Sequence, residues 1–194
     1  RGNRVFNQRA SSIAGITLTD ALAVGNDVFD NRLGIYVSGG GTAKDNEVHS
    51  NSVAGIEISS GTASGNRIHS NPIGIDGIVA ARIENNVIYG NTNFGIFEDA
   101  PFFAPATIVN NTIHQPVGDA IRLTGSSISA HTIANNILAV GAGAAIHVQG
   151  ATAPGFASNF NLFDRMSGTA SVGVWGGAVR TDLAAWNAAS GLDA

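Results

Sequence analysis

Cysteine is absent from the 194-residue chain, which excludes disulfides and thiolate metal sites. Lysine occurs once, as Lys44, against nine arginines, and the formal net charge is −4. With no basic cluster, nucleic acid is not expected as a partner. Charged residues make up only 12 % of the chain, too few for long surface helices, which usually carry Glu and Lys. No apolar run approaches the roughly 20 residues of a membrane-spanning helix, so no membrane partner is expected. The chain starts at Arg1 without Met or signal peptide, and Gly2-Asn3 already lies inside a repeat. It therefore reads as a mature or trimmed fragment with further coils upstream and an uncapped N-terminal edge through which copies could associate.

What is present is 44 % hydrophobic residue, 25 glycines and many asparagines, arranged in a repeat. Gly25-Asn26-Asp27-Val28-Phe29-Asp30-Asn31 with Gly34-Ile35-Tyr36-Val37 returns as Asn46-Glu47-Val48-His49-Ser50-Asn51 with Gly55-Ile56-Glu57-Ile58. It returns again from Gly65 to Ile75 and from Asn86 to Ile96. The leading asparagines are Asn3, Asn26, Asn46, Asn66, Asn86, Asn111 and Asn136, with Asn159 expected next. Two positions later stands an aliphatic column from Val5 and Val28 to Leu138. Three positions earlier runs Ala23, Ala43, Ala63, Ile83, Ile108, Ile133 and, with Asn159 as the anchor, Phe156. A third column holds Ile16, Ile35, Ile56, Ile75, Ile96, Ile121 and Ile146.

Three short alternating words in a unit of 20 to 25 residues cannot form three helices. They describe three strands in one coil of a parallel β-solenoid, whose like residues stack about 4.8 Å apart. The predicted fold is all-β: a right-handed parallel β-helix of about seven coils over residues 1–160, with a C-terminal cap over 161–194. Buried asparagines at the bends would tolerate left-handed backbone and bond the next coil. The glycines before the isoleucine column fit turns of positive φ. Replacement of Ala63 by Ile83 and its successors predicts an interior that widens toward the C-terminus. The extra residues of the later coils enter one turn, at 99–105, 125–130 and 150–155, and would raise a wall on one side. In the cap, Thr181 is expected to N-cap a short helix from Asp182 to about Ala189, stopped by Gly191, with Leu183 and Trp186 on one face.

The pattern Gly-Asn-x-Ile-x-x-Asn-x-x-x-Gly-Ile-x-Ile resembles the repeat of right-handed parallel β-helix proteins, the pectin-lyase-like superfamily, over residues 1–160. The tail, with Asn161-Leu162-Phe163 and Leu183-Ala184-Ala185-Trp186, resembles the C-terminal end of secreted bacterial members. The resemblance implies an extracellular or periplasmic location. It reaches polysaccharide lyases, uronan C5-epimerases, glycoside hydrolases, tailspikes and adhesins, so fold alone assigns no activity. The Asp-Asp plus Gly-His-Gly signature of polygalacturonases is missing. So are the Asp-Pro-His-Asp motif of many mannuronan epimerases, a clear Lys/Arg pair of alginate and chondroitin lyases, and calcium-binding nonapeptides.

Function must then lie on outward positions. Between the apolar residues of the Gly-Ile word the column reads Thr17, Tyr36, Glu57, Asp76, Phe97, Arg122 and His147. Aromatic faces stack on pyranose rings, and charged forks bind hydroxyls or carboxylates. Glu57 and Asp76, one coil apart, are candidate acid and base or nucleophile. Arg122 could neutralise a uronate carboxylate, and His147 or Tyr36 could take its C5 proton. Tyr36, Phe97 and the loop residues Phe102 and Phe103 are candidate sugar-binding positions. A second outward column reads Phe29, His49, His69, Tyr89, His114 and Ala139. His49 and His69, with Glu47, make a weak metal candidate; otherwise neither metal nor cofactor is expected. His131 has no column partner and is read as structural or solvent-facing. The expected function is polysaccharide binding, within a lyase, epimerase or glycosidase if catalytic. The alternative is a non-catalytic structural or adhesive solenoid.

Overall fold

The computed structural model describes residues 1–10, 13–77, 80–99, 104–124, 130–150 and 154–193. The chain winds through three sheets in turn, laying one short strand in each per coil. The first sheet holds Arg4–Phe6, Asp27–Phe29, Glu47–His49, Arg67–His69, Val87–Tyr89, Thr112–Gln115, Ile137–Val140 and Leu162–Arg165. The second holds Ala14–Thr19, Leu33–Ser38, Ala54–Ile58, Ile73–Asp76, Phe94–Glu98, Asp119–Leu123, Gly143–Val148 and Ala170–Trp175. The third runs from Leu22–Val24 through Thr42–Lys44, Gly61–Ser64, Ala81–Glu84, Thr107–Val109 and Thr132–Ala134 to Ala157–Asn159. Among the described residues every pairing between coils is parallel, and the hairpin strand Ala178–Arg180 alone pairs antiparallel, with Ala170–Trp175. This is the right-handed parallel solenoid that the repeat predicts.

The aliphatic columns form the interior. Val28, Val48, Ile68, Ile88, Ile113 and Leu138 stand in register and are fully buried, as are Ile35 through Ile146. At the bend before the first sheet, the asparagines stitch coil to coil. Asn66 Oδ1 accepts from the Asn46 backbone N–H at 2.9 Å and from Asn46 Nδ2 at 3.0 Å. Its own Nδ2 donates to Ala43 O at 2.9 Å and to Asn86 Oδ1 at 3.0 Å. Buried amides with four partners are satisfied rather than costly. A second ladder runs from Asn31 through Asn51 and Asn71 to Asn91.

Several expectations are corrected in detail. The ladder continues to Asn161, whose Oδ1 accepts from Asn136 N at 3.0 Å, and not to Asn159. Left-handed backbone falls on the residue before each ladder asparagine: Asp45, Asn85, Asn110, Asn135 and then Phe160. The side chain of the ladder residue needs the inward position, so its predecessor makes the bend. With this register Ser158, not Phe156, follows Ile133. Phe156 instead tops an adjacent inward column of Gly41, Gly61, Ala81, Ala106 and His131, where the interior side chains grow toward the C-terminus. The glycines before the isoleucines, among them Gly34 and Gly74, do not have positive φ. They are small because a Cβ there would overlap the carbonyl of the next coil.

The segment from residue 161 begins with two strands that still pair in parallel with the coils, Leu162–Arg165 and Ala170–Trp175. A hairpin and the helix α1, Leu183–Ser190, follow. Asp182, in extended conformation, is the N-cap and accepts from Ala185 N at 2.8 Å; Thr181 is not the cap. Gly191 closes the helix in left-handed conformation. Trp186 is fully buried and donates Nε1–H to Asp193, while Leu183 is exposed, so the two do not share a buried face. A Cβ at Gly173 would collide with the Trp186 ring, which explains the glycine beneath it.

Candidate functional site

Strand order places the predicted outward column in register: Thr17 beside Tyr36, then Glu57, Asp76, Phe97, Arg122 and His147 in successive coils. The row lies on the outer face of the second sheet. Three residues upstream runs a second outward column of Ala14, Leu33, Ala54, Ile73, Phe94 and Asp119. The apolar part of that column forms a cluster of its own, separate from the interior, with Tyr36 and Ile73 packed on it.

The row divides into two groups. In the lower one, Asp76 sits beside Glu57. Burial pushes the Asp76 carboxyl up to about 6, the nearby charges of Glu57 and Asp99 add to the rise, and the Gly77 backbone N–H opposes it. Asp76 is thus poised to hold or release a proton near neutral pH. The Tyr36 hydroxyl donates to Ser59 Oγ at 3.2 Å, and its half-buried ring packs on the apolar cluster.

The upper group is organised by Asp119, which the reading of the sequence did not single out. It is buried, and its Oδ1 accepts from Ala144 N at 2.7 Å. Its Oδ2 lies 3.0 Å from His147 Nδ1 and accepts from Arg122 Nη1 at 3.3 Å. A histidine that gives Nδ1–H to a carboxylate presents the Nε2 lone pair outward. The Arg122 guanidinium lies 5.2 Å from the Phe94 ring centroid, and Phe94 stacks on Phe97 at 4.9 Å. The signal for Asp119 was a carboxylate in an otherwise apolar column. Asp76 and His147 are three coils apart, about 14 Å at strand spacing, so the four catalytic candidates do not converge on one bond. Phe102 and Phe103, and most of the long turns, lie outside the described residues.

The second outward column, on the first sheet, becomes a continuous stack. Ring centroids of Phe6, Phe29, His49, His69 and Tyr89 follow one another at 5.2, 5.2, 5.0 and 4.7 Å. The faces cover one another, so sugars have no ring face to lie on within the stack. His49 Nε2 reaches Asp27 at 3.1 Å and His69 Nε2 reaches Glu47 at 3.4 Å, with each Nδ1 on the following serine. Burial lowers the His69 pKa, against the raising effect of Glu47. The two imidazole planes are parallel within 2°, and among the described residues no group of three His, Asp or Glu could hold a metal. His131 is not solvent-facing. It is fully buried inside the solenoid with Nε2 2.7 Å from Glu98, an acid that takes a core position in register with Leu123.

Residues 2–161 match the family described as the right handed beta helix region. No curated protein matches the chain, and no solved structure does. The match covers most of the chain, which belongs to this family.

Proposed function

We propose that this right-handed β-helix binds an acidic polysaccharide lengthwise along the outer face of its second sheet. What supports this reading above all is the Asp119-anchored pair of Arg122 and His147, continued downward by Phe97, Asp76, Glu57 and Tyr36. Held by the same buried carboxylate, the Arg122 guanidinium is a donor for a uronate carboxylate and the His147 Nε2 an acceptor for a neighbouring sugar hydroxyl. Phe97 and Tyr36 offer apolar surface to pyranose rings, and Glu57 and Asp76 accept from hydroxyls. The polymer would be met outside the cytoplasm, and we place the chain there.

The separation of about 14 Å between Asp76 and His147 favours binding over turnover across the whole row. It still permits a lyase or epimerase step confined to the Arg122–His147 pair, with Nε2 as the proton acceptor. A structural or adhesive solenoid is the second reading, favoured by the self-covered stack on the first sheet.

A panel of oligogalacturonates, oligoalginates and neutral plant oligosaccharides tests the proposal. Saturable binding of an acidic oligosaccharide is expected, weakened about ten-fold or more by Arg122→Ala. Release of an unsaturated product would add lyase activity. No binding to any acidic member, or binding indifferent to Arg122→Ala, would contradict the reading.

A further inference from the structure

At the N-terminal end of the same face lies a concavity of about 420 Å³. Ile13, Ala14 and Leu33 make its apolar part, and Arg32, Tyr36 and Glu57 line the rest. Ala14 and Leu33 are buried although they lie outside the solenoid interior, because Tyr36 and Ile73 pack against their cluster. The volume falls in the range of small-molecule sites.

Arg32 is the cationic member of this lining. Arg4, Arg67, Arg82 and Arg122 each meet a carboxylate, at 3.2, 3.7, 2.6 and 3.3 Å. Arg32 is half-buried, and its guanidinium meets no carboxylate among the described residues. A partly desolvated guanidinium beside apolar surface favours an incoming carboxylate, which it can hold with two parallel hydrogen bonds. Arg32 and Glu57 form no ion pair with each other. Arg32 precedes the strand Leu33–Ser38, whereas Glu57 is in register with Tyr36 four residues on, about 13 Å along the strand direction. The two residues therefore join the concavity at backbone positions about 13 Å apart along the strand direction.

We propose that this concavity, which shares Tyr36 and Glu57 with the saccharide row but is anchored outside it on Arg32, takes a small organic acid: a carboxylate on Arg32, an apolar body over Leu33 and Ala14, and a hydrogen-bond donor on Glu57. The site goes beyond the polysaccharide reading and does not involve Arg122 or His147.

The probe is 4-hydroxyphenylacetate, which carries all three features, titrated into the intact chain with NMR readout at Tyr36 and the Arg32 side chain. Saturable binding at millimolar concentration or better is expected. Phenylacetate, without the donor, should bind several-fold more weakly, and tyramine, without the carboxylate, should not compete. Arg32→Gln should weaken the probe about ten-fold or more, while Arg122→Ala leaves it unchanged. That last arm separates this site from the saccharide row, since either can fail alone. Absence of saturable binding, equal binding of tyramine, or indifference to Arg32→Gln would overturn the proposal.

Discussion

The two outer faces of the solenoid are built by the same rule and end in opposite states. On each, one outward side chain per coil stands about 4.8 Å from the next. On the first sheet the column closes on itself: Phe6, Phe29, His49, His69 and Tyr89 stack, and both histidines end on acids one coil earlier. On the second sheet no two neighbouring side chains of the row from Thr17 to His147 are both rings, so they cannot stack into one ladder. Glu57 meets Asp76 as like charge, Phe97 separates acid from Arg122, and His147 turns to Asp119. A column of similar rings satisfies itself, whereas a column of dissimilar groups leaves binding capacity open to a ligand. The difference lies in the order of residue types and not in the fold beneath them.

Substitutions can break or sharpen that contrast. The largest effect should come from beneath both faces. Asn66→Ala leaves the Asn46 N–H without its acceptor and removes the donor to the Ala43 carbonyl, while Asn86 Oδ1 keeps the backbone N–H of residue 66, and should cost roughly 3 kcal/mol by denaturant unfolding. It should loosen both faces alike. Asp119→Ala comes next. It leaves the Ala144 N–H unpaired and frees Arg122 and His147, for a cost of about 2 kcal/mol and a loss of acidic-oligosaccharide affinity. His49→Ala removes a ring between two stacked neighbours and should cost about 1 kcal/mol with affinity unchanged. Loss of affinity there would dissolve the contrast.

Asp76→Asn should be smallest and readable by its pH dependence. The folded Asp76 prefers its proton up to about 6, against an ordinary value of 3.8. Its ionisation therefore opposes folding increasingly as pH rises from about 4 to about 6, and at a constant level above. The Asn variant should match the native chain below pH 4 and exceed it above pH 6, by about 1 kcal/mol once solvent screening is allowed for. Unfolding midpoints across that range check both the direction and the window. A stability gain that grew toward low pH would reverse the assignment.

Much of this was legible in the primary structure because a solenoid converts sequence period into spatial register. The asparagine ladder, the aliphatic interior and both outward columns followed from spacing alone. What escaped were residues whose type contradicts their column. Asp119 stands where Leu33, Ala54, Ile73 and Phe94 stand, and Glu98 where a core aliphatic is expected. Their partners, His147 and His131, lie 28 and 33 residues away and become neighbours only through the winding of the chain. The slip from Asn161 to Asn159 has a different origin. Only Asn161 stands two residues before an apolar residue, Phe163, and 25 residues after Asn136, so the spacing already favoured it, and its hydrogen bonds to Asn136 agree.

The most direct test is an NMR titration of the intact chain with an acidic oligosaccharide, following the aromatic, imidazole and guanidinium signals of both faces together. Saturable changes are expected at Tyr36, Phe97, Arg122 and His147, with Phe29, His49 and His69 unmoved. Changes concentrated on the first-sheet stack, or none on either face, would contradict this expectation.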